Sequence, residues 1–452
     1  MTGVFPDKSL NFWLERPVPR YTSYPPAPAF HPGVAADAYA ASLAGLSPDT
    51  PVSLYLHIPF CRDLCLYCGC NTTVTHRDDR IDTYMGALQR EIVQTISAIP
   101  HRPRIASIHW GGGTPNILSD KALREMFAML ADMGDMDSGG EIAMEIDPRH
   151  AGASQIETLA GCGVTRVSLG VQDFDADVQK LINRVQPYEM VERTCAMLRD
   201  HGITAINFDL IYGLPRQTPD SVAQTARQVA HLRPSRIALF SYAHVPQLKK
   251  HQKILEDAGL PDKYARLAME SAARGVLRDA GYVEIGMDHF ALSGDALELA
   301  ATERRLRRNF QGYTTDNATA LLGFGASSIS STPDGYFQNE RLLPIYQEAA
   351  VAGTLPAARG LLLTDEDRLR GRVIETLMCY MACDVAAICA QMNMPMSALD
   401  NAFAALHPMQ QAGLVAIDGA KLRLLSPYRM AVRVACQAFD AYAGSSIASR
   451  AA

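Results

Sequence analysis

From Val52 to Tyr242 the chain alternates two hydrophobic patterns. Short runs rich in β-branched and apolar residues recur at Val52–Ile58, Ile105–Trp110, Glu141–Asp147, Arg166–Gln172, Ile206–Tyr212 and Arg236–Tyr242. Between them lie longer segments with helical periodicity: Asp82–Ile99, Lys121–Met133, Pro187–His201 and Ser221–Leu232. In the first of these, Tyr84, Leu88, Ile92 and Ile96 repeat at the spacing of one buried helix face. Strands that alternate with helices predict a parallel sheet with right-handed crossovers, either open or curled into a barrel.

The flanks read differently. Arg16-Pro-Val-Pro-Arg-Tyr-Thr-Ser-Tyr-Pro-Pro26 cannot form regular helix, because proline lacks a donor N–H and restricts the residue before it. An extended arm or lid over the sheet is expected there. Beyond about residue 360 the β runs thin out. Thr364-Asp-Glu-Asp367 has the form of an N-capped helix start with acids favoured by the helix dipole. A small helical domain follows, with a terminal hairpin expected near Leu414–Leu425. The expected division is therefore an arm over 1–50, a partial α/β barrel over 51–250, an extension closing the site over 251–360, and a mainly helical domain over 361–452.

Composition changes this picture little. Of 452 residues, 48% are hydrophobic and 20% charged, as in soluble globular proteins. The 42 basic residues against 48 acidic ones give a formal charge of −6, which argues against nonspecific nucleic-acid binding. Met1 to Arg20 reads as neither signal peptide nor anchor, and no later run suggests a membrane span. Cys162, Cys195, Cys379, Cys383, Cys389 and Cys436 lack the spacing of a disulfide framework, so a cytoplasmic location is expected.

The chemistry concentrates in Cys61-Arg-Asp-Leu-Cys65-Leu-Tyr-Cys68-Gly-Cys70, directly after the first predicted strand. The spacing C-x3-C-x2-C suits three corners of an iron–sulfur cube, leaving one iron open to another ligand. A structural zinc site with four thiolates is the competing reading, although such sites usually use two separated cysteine pairs. Cys379, Cys383 and Cys389 fall in the apolar stretch Val373–Met392, read as helical, where core packing is expected. Gly111-Gly-Gly113 closes the second strand without a Walker lysine or dinucleotide fingerprint. Its glycines let backbone approach a ligand closely.

Other polar residues collect at predicted strand ends. Tyr55 and His57 lie on the first strand, Glu145 and Asp147 on the third, Gln172 ends the fourth, Asp209 lies on the fifth, and Tyr242-Ala-His244 ends the sixth. In α/β barrels the active site is built at the C-terminal strand ends, so these side chains are predicted to share one mouth.

The cysteine spacing with Tyr67 before the third cysteine, and Gly-Gly-Gly-Thr-Pro after the second strand, resemble the radical S-adenosylmethionine superfamily. Pro19-Arg-Tyr-Thr-Ser-Tyr-Pro25, Tyr55-Leu-His-Ile-Pro-Phe-Cys61, Cys68-Gly-Cys-Asn71, Asp209-Leu-Ile-Tyr-Gly-Leu-Pro215, Gly286-Met-Asp-His-Phe290 and Asn309-Phe-Gln-Gly-Tyr-Thr-Thr315 resemble the oxygen-independent coproporphyrinogen III oxidases. The resemblance implies a partial (β/α)6 TIM-like barrel, with a [4Fe–4S] cluster on Cys61, Cys65 and Cys68. It implies two S-adenosylmethionine molecules. Tyr55, Gly112, Glu145 and Ile329 match contacts of the first; Tyr67, Gly113, Thr114, Gln172, Arg184, Asp209 and Ala243 match contacts of the second.

The implied reaction converts two propionates of coproporphyrinogen III to vinyl groups, giving protoporphyrinogen IX in haem biosynthesis through a 5′-deoxyadenosyl radical. Tyr55, His57, Cys70 and Gln311 are the candidate catalytic residues, with Cys70 near the cluster but not a ligand. Core packing of His57 and a loop role for Gln311 are the plain alternatives. The substrate's propionates need cations, for which Arg20, Arg184 and Arg308 are candidates, since guanidinium pairs bidentately with carboxylate. A flavodoxin-type electron donor and a monomeric state are expected. A rival reading is a haem chaperone of the same superfamily; those relatives lack the Cys-Gly-Cys-Asn arrangement and the arm motif.

Overall fold

The structure, a computed structural model, describes residues 12–425 and 429–443. The reading of the first eleven residues as no leader, and the ends of the arm and C-terminal domain, lie outside the described residues.

Six parallel strands form the centre: β1 (Val52–Ile58), β2 (Arg104–Gly112), β3 (Asp135–Ile146), β4 (Arg166–Gln172), β5 (Ala205–Tyr212) and β6 (Arg236–Ser241). The antiparallel pair β7 (Tyr282–Ile285) and β8 (His289–Leu292) continues beyond β6. On the other side β9 (Ala320–Phe324) pairs parallel with β1, and β10 (Ile329–Ser331), β11 (Gly335–Asn339) and β12 (Ala357–Leu362) follow antiparallel. The result is one open 12-stranded sheet in the order β12-β11-β10-β9-β1-β2-β3-β4-β5-β6-β8-β7. It is mixed α/β with a parallel centre, as the alternation of patterns predicts.

Crossover helices α1 (Asp78–Ser97), α2 (Asp120–Met133), α3 (Ala153–Gly161), α4 (Tyr188–Asp200) and α5 (Pro219–Leu232) join successive central strands. Helix α1 buries Tyr84, Leu88 and Ile92, with Ile96 partly covered. Its face meets Leu54, Leu56 and Ile58 of β1 in the main core. The intervening residues Ser53, Tyr55 and His57 then point to the other side, because successive strand residues alternate. This alternation is what lines the interior with polar chemistry. Two of these helix starts are closed by side chains: Ser119 accepts from the Ala122 N–H, and Thr218 forms a capping box with Ser221.

The arm lies without regular helix over residues 16–26. Its backbone is tied to the C-terminal segment: Arg433 donates to the Pro19 carbonyl at 3.0 Å, and Tyr21 Oη donates to Asp440 at 3.1 Å. Val18, Tyr21 and Tyr24 are buried there. Helix α6 (Lys263–Asp279) packs on α5, and α7 (Leu343–Val351) on α1. Helix α8 (Asp365–Tyr380) begins with the anticipated cap, Thr364 and Asp367 bonding reciprocally. The stretch Val373–Met392 is not one helix. Met381 takes a left-handed conformation that ends α8, and Ala382–Asp384 is a strand before the helix Val385–Gln391. That strand joins the hairpin Val415–Asp418/Lys421–Leu424 in a three-stranded sheet. Cys379, Cys383 and Cys389 are buried. Among the described residues, no helix is long and apolar enough to cross a membrane.

Candidate active site

A cavity of about 280 Å³ opens at the C-terminal ends of β1 to β6. Its wall contains Cys61, Cys65, Cys68 and Cys70, with Tyr67, Gly112, Gly113, Thr114, Glu145, Gln172, Arg184 and Asp209. Residues from separate strands thus meet as strand-end geometry requires.

The cysteine loop is held from several sides. Phe60–Cys61 pairs with Thr73–Val74 as a short parallel ladder, closing the loop on itself. The Leu66 N–H donates to the Ile182 carbonyl at 2.9 Å, and Asn183 Nδ2 donates to Leu64 at 2.8 Å. Leu66 and Tyr67 sit on a satellite core of Val178, Ile182, Leu214, Tyr242 and Leu255. From the far side, Lys249 Nζ donates to the Cys70 carbonyl at 2.6 Å, His251 Nε2 donates to Cys68 O at 2.8 Å, and Gln252 donates to Tyr67 O at 2.8 Å. A loop fixed by backbone carbonyls leaves its thiols free to face the cavity.

Each thiol has a distinct surrounding. Cys61 accepts from Thr114 Oγ1 at 3.3 Å, and burial pushes its thiol up to about 11. Cys65 is approached by Arg184 at 3.6 Å and Arg149 at 3.8 Å. Cys68 is held down at about 6, first because the Cys70 thiol donates to it. Among the described residues no three metal-ligating side chains converge tightly enough for a single ion. Three thiols sharing one wall, each facing a donor that stabilises negative sulfur, fit the corners of a larger iron–sulfur cube.

The glycine run provides close approach. A Cβ at Gly111 would stand 2.8 Å from Glu145 Oε1, one at Gly112 2.7 Å from the His57 ring, and one at Gly113 2.6 Å from the Phe60 carbonyl. Gly112 also has φ +115°, which favours glycine. Its N–H points to Glu145 Oε2 at 3.3 Å. The strand end therefore lies against the cysteine-bearing segment with no room for a side chain.

Charge is arranged in layers. Burial would raise the Asp147 carboxyl, but Arg184 at 3.0 Å and Arg149 at 2.6 Å hold it at about 2. Asp209 is pushed up to about 6, first by burial and then by Glu145, against hydrogen bonds from Ser168 at 2.9 Å and Asn207 at 3.1 Å. Tyr55 Oη and His57 Nδ1 are 3.1 Å apart, and His57 Nε2 is 3.2 Å from the Asn71 carbonyl. A carbonyl only accepts, so Nε2 carries the proton and Nδ1 accepts from Tyr55. Burial keeps the His57 pKa below its ordinary value, consistent with that neutral ring.

Other anticipated residues lie apart from this wall. Ala243, Ile329 and Arg20 line a second cavity of about 330 Å³ against the arm. Arg20 is half-buried and donates to the Ser241 carbonyl at 3.0 Å, placing the arm at the end of β6. Arg308 lines a third cavity, about 510 Å³, with Tyr21, Thr22, Ser23 and Tyr24. It stacks on Tyr313 at 4.5 Å and leaves Nη1 buried without a hydrogen-bond partner among the described residues. The arm thus separates the two arginines. Gln311 is exposed at the tip of the hairpin Arg307–Asn309/Gly312–Thr314, beside Phe310, which lines both arm cavities.

Arg149, Lys249, His251 and Gln252 are site residues that the sequence reading misses. Arg149 stands two residues after Asp147, and a cation so close to the strand-end acid was a usable clue. The other three reach the loop across 179 to 185 residues of chain, and no local pattern marks that pairing.

Comparison with known proteins agrees with this geometry. The radical SAM superfamily pattern matches residues 55–229. The chain is 45% identical over 436 residues to the oxygen-independent coproporphyrinogen III oxidase of Bradyrhizobium diazoefficiens, covering 96% of this chain and 97% of that one. It is 39% identical over 428 residues to the Escherichia coli (strain K12) protein of the same name, covering 94% and 93%. The solved structure of the coproporphyrinogen III oxidase from Escherichia coli, described as a radical SAM enzyme, superposes with TM-score 0.90 at 37% identity, over 97% of this chain and 99% of that one.

Proposed function

The chain belongs to the oxygen-independent coproporphyrinogen III oxidases of the radical SAM superfamily, and from that membership we propose that it oxidatively decarboxylates two propionates of coproporphyrinogen III to give protoporphyrinogen IX. Each propionate then loses carbon dioxide, one proton and two electrons. The observation that carries the reading is the meeting of Cys61, Cys65 and Cys68 with Glu145 and Asp209 on one cavity wall. The names of the relatives support an oxidase in haem biosynthesis and not a haem chaperone.

Cys61, Cys65 and Cys68 would hold a [4Fe–4S] cluster. That group, with bound S-adenosylmethionine, would supply one-electron radical chemistry toward a substrate C–H bond. Thr114 and the paired guanidiniums of Arg149 and Arg184 stabilise negative charge on the cysteine sulfurs. Gly112 and Gly113 let the strand end come within reach of a ligand's amino and carboxylate groups, and Glu145 offers an acceptor beside them.

Tyr55, Gly112 and Glu145, with Ile329 from the arm cavity, would hold the first S-adenosylmethionine. Tyr67, Gly113, Thr114, Gln172, Arg184 and Asp209, with Ala243 from the arm cavity, would hold a second molecule. Asp209, ionised above about pH 6, accepts from ribose hydroxyls. Tyr55 donates to His57 and presents its remaining lone pairs to the interior, while His57 holds its proton on Asn71. Arg20 and Arg308 receive propionates from the two faces of the arm, which excludes water from the site. Cys70 and Gln311 keep their candidate roles at the cluster loop and the hairpin tip.

The protein works as a cytoplasmic monomer supplied with electrons by a flavodoxin-type donor. The test is an anaerobic incubation with S-adenosylmethionine, dithionite and coproporphyrinogen III, with chromatography of the oxidised porphyrins. Protoporphyrin supports the reading. Unchanged coproporphyrin together with tight haem binding would replace it with the chaperone.

A further inference from the structure

Beside the cysteine loop stands a short 3₁₀ helix, Lys250–Leu255, whose three side-chain rows do three different things. With three residues per turn, positions i and i+3 eclipse and each row shares one direction. Gln252 and Leu255 form the inner row, buried against Tyr67 O and the satellite core. His251 is turned to the Cys68 carbonyl, and Ile254 in the same row is 55% exposed. Lys250 and Lys253 form the outer row, both exposed, and make no ion pair among the described residues. Leu248, at the entry to this helix, is 58% exposed.

From Gln247 to Leu255 the chain has three lysines and a histidine and no acid, within a protein of net charge −6. The first carboxylate beyond, Glu256, is engaged by His244 at 2.8 Å. Two uncovered aliphatic side chains with exposed lysines on the adjoining row of the same short helix have the composition of an interaction site more than of a solvated helix face. The patch touches the backbone of a cluster-bearing loop, whose Gly69 and Cys70 reach solvent.

We propose that this face is where the electron donor docks, and that the donor is a small acidic one-electron carrier protein. The inference rests on the function proposed above, since only a redox-active cysteine loop requires such a partner. Lysines steer an anionic surface in, and Leu248 and Ile254 provide the dry contact that holds it over Cys68.

The test uses the iron-loaded protein, titrated anaerobically with a reduced flavodoxin by calorimetry. The double variant Lys250→Glu/Lys253→Glu is expected to bind about tenfold more weakly at low salt, with the difference shrinking to about twofold at roughly 0.5 M salt. Leu248→Ser/Ile254→Ser is expected to weaken binding at both salt concentrations. Turnover driven by dithionite, which needs no docking, stays at wild-type level in both variants. Equal flavodoxin affinity in wild type and both variants overturns the docking site. Absence of dithionite-driven turnover in the wild type would overturn the proposed function instead.

Discussion

Replacing Gly113 with alanine tests how closely the glycine strand end must lie against the cysteine segment. The added Cβ would sit 2.6 Å from the Phe60 carbonyl oxygen and 3.0 Å from the Phe60 carbonyl carbon and nitrogen. All three are backbone atoms, so no side chain can swing aside. Restoring an ordinary contact of about 3.5 Å requires a relative shift of about 0.9 Å. That shift strains the Gly113 N–H bond to Ile58 O at 2.8 Å and the Thr114 contact to Cys61 at 3.3 Å. Phe60 directly precedes Cys61, so the displacement falls on a proposed cluster ligand. Overpacking of this kind costs about 1–3 kcal/mol of stability. A misplacement of about 1 Å at reacting groups costs on the order of a hundredfold in rate. The assay is anaerobic reconstitution, iron per chain, and kcat/KM with dithionite. Gly86→Ala is the control, because a Cβ there meets nothing within 4 Å inside α1. It should add about 0.5–1 kcal/mol of stability and leave turnover unchanged. Gly113→Ala with wild-type iron content and a rate within about twofold of wild type would refute the argument.

Three further outcomes follow from the same structure. Arg20→Ala should raise the Kd for coproporphyrinogen III by about tenfold to a hundredfold, the worth of one charge-assisted hydrogen bond, while iron per chain stays at wild type; unchanged binding would remove Arg20 from the substrate site. Asp209, raised to about 6 by burial, ionises above that pH, so S-adenosylmethionine affinity should fall as pH drops through about 6 and Asp209→Asn should flatten that dependence in calorimetry. Glu91 is buried beneath α7 with Tyr346 Oη at 2.5 Å and the Gly325 N–H at 2.7 Å donating to it, yet burial outweighs these donors and raises its pKa from 4.5 to about 7. The folded state therefore holds more protons than the unfolded state between those values. This group's contribution is complete below about pH 4.5 and is lost as pH rises through about 7, a change of about 3 kcal/mol. Glu91→Gln should remove that slope from urea unfolding measured at about pH 5, 6 and 7.5.

The central sheet was legible because each strand carries its own pattern. Val52–Ile58 and Arg166–Gln172 have the boundaries the sequence suggests. β3 begins earlier, at Asp135, because its polar first half is recruited by β2 through Arg104 and Ile105 before a register shift. Alternation along the sequence does not mark β9 to β12 as strands. Ile329–Ser331 is three residues long, and Gly335 is held where a Cβ would strike Leu361 O at 2.3 Å, so packing rather than alternation defines them. In the C-terminal part, the left-handed Met381 breaks a stretch whose apolar spacing alone reads as continuous helix. The cysteine cradle was local and therefore visible. Its outer supports, Lys249, His251 and Gln252, come from a segment whose only sequence mark is a cluster of cations. Arg20 and Arg308 were readable as cations, but not their separation into two cavities, which the tertiary course of the arm decides.

The central claim is that the cavity at Cys61, Cys65 and Cys68 removes hydrogen from a substrate propionate. Coproporphyrinogen III deuterated at the propionate β-carbons, incubated anaerobically with the reduced protein and S-adenosylmethionine, tests it directly by mass spectrometry of the 5′-deoxyadenosine formed. The account predicts deuterium in the 5′-deoxyadenosine, alongside vinyl product, and neither product from Cys65→Ala. Vinyl product accompanied by unlabelled 5′-deoxyadenosine, or formed equally by Cys65→Ala, would contradict it.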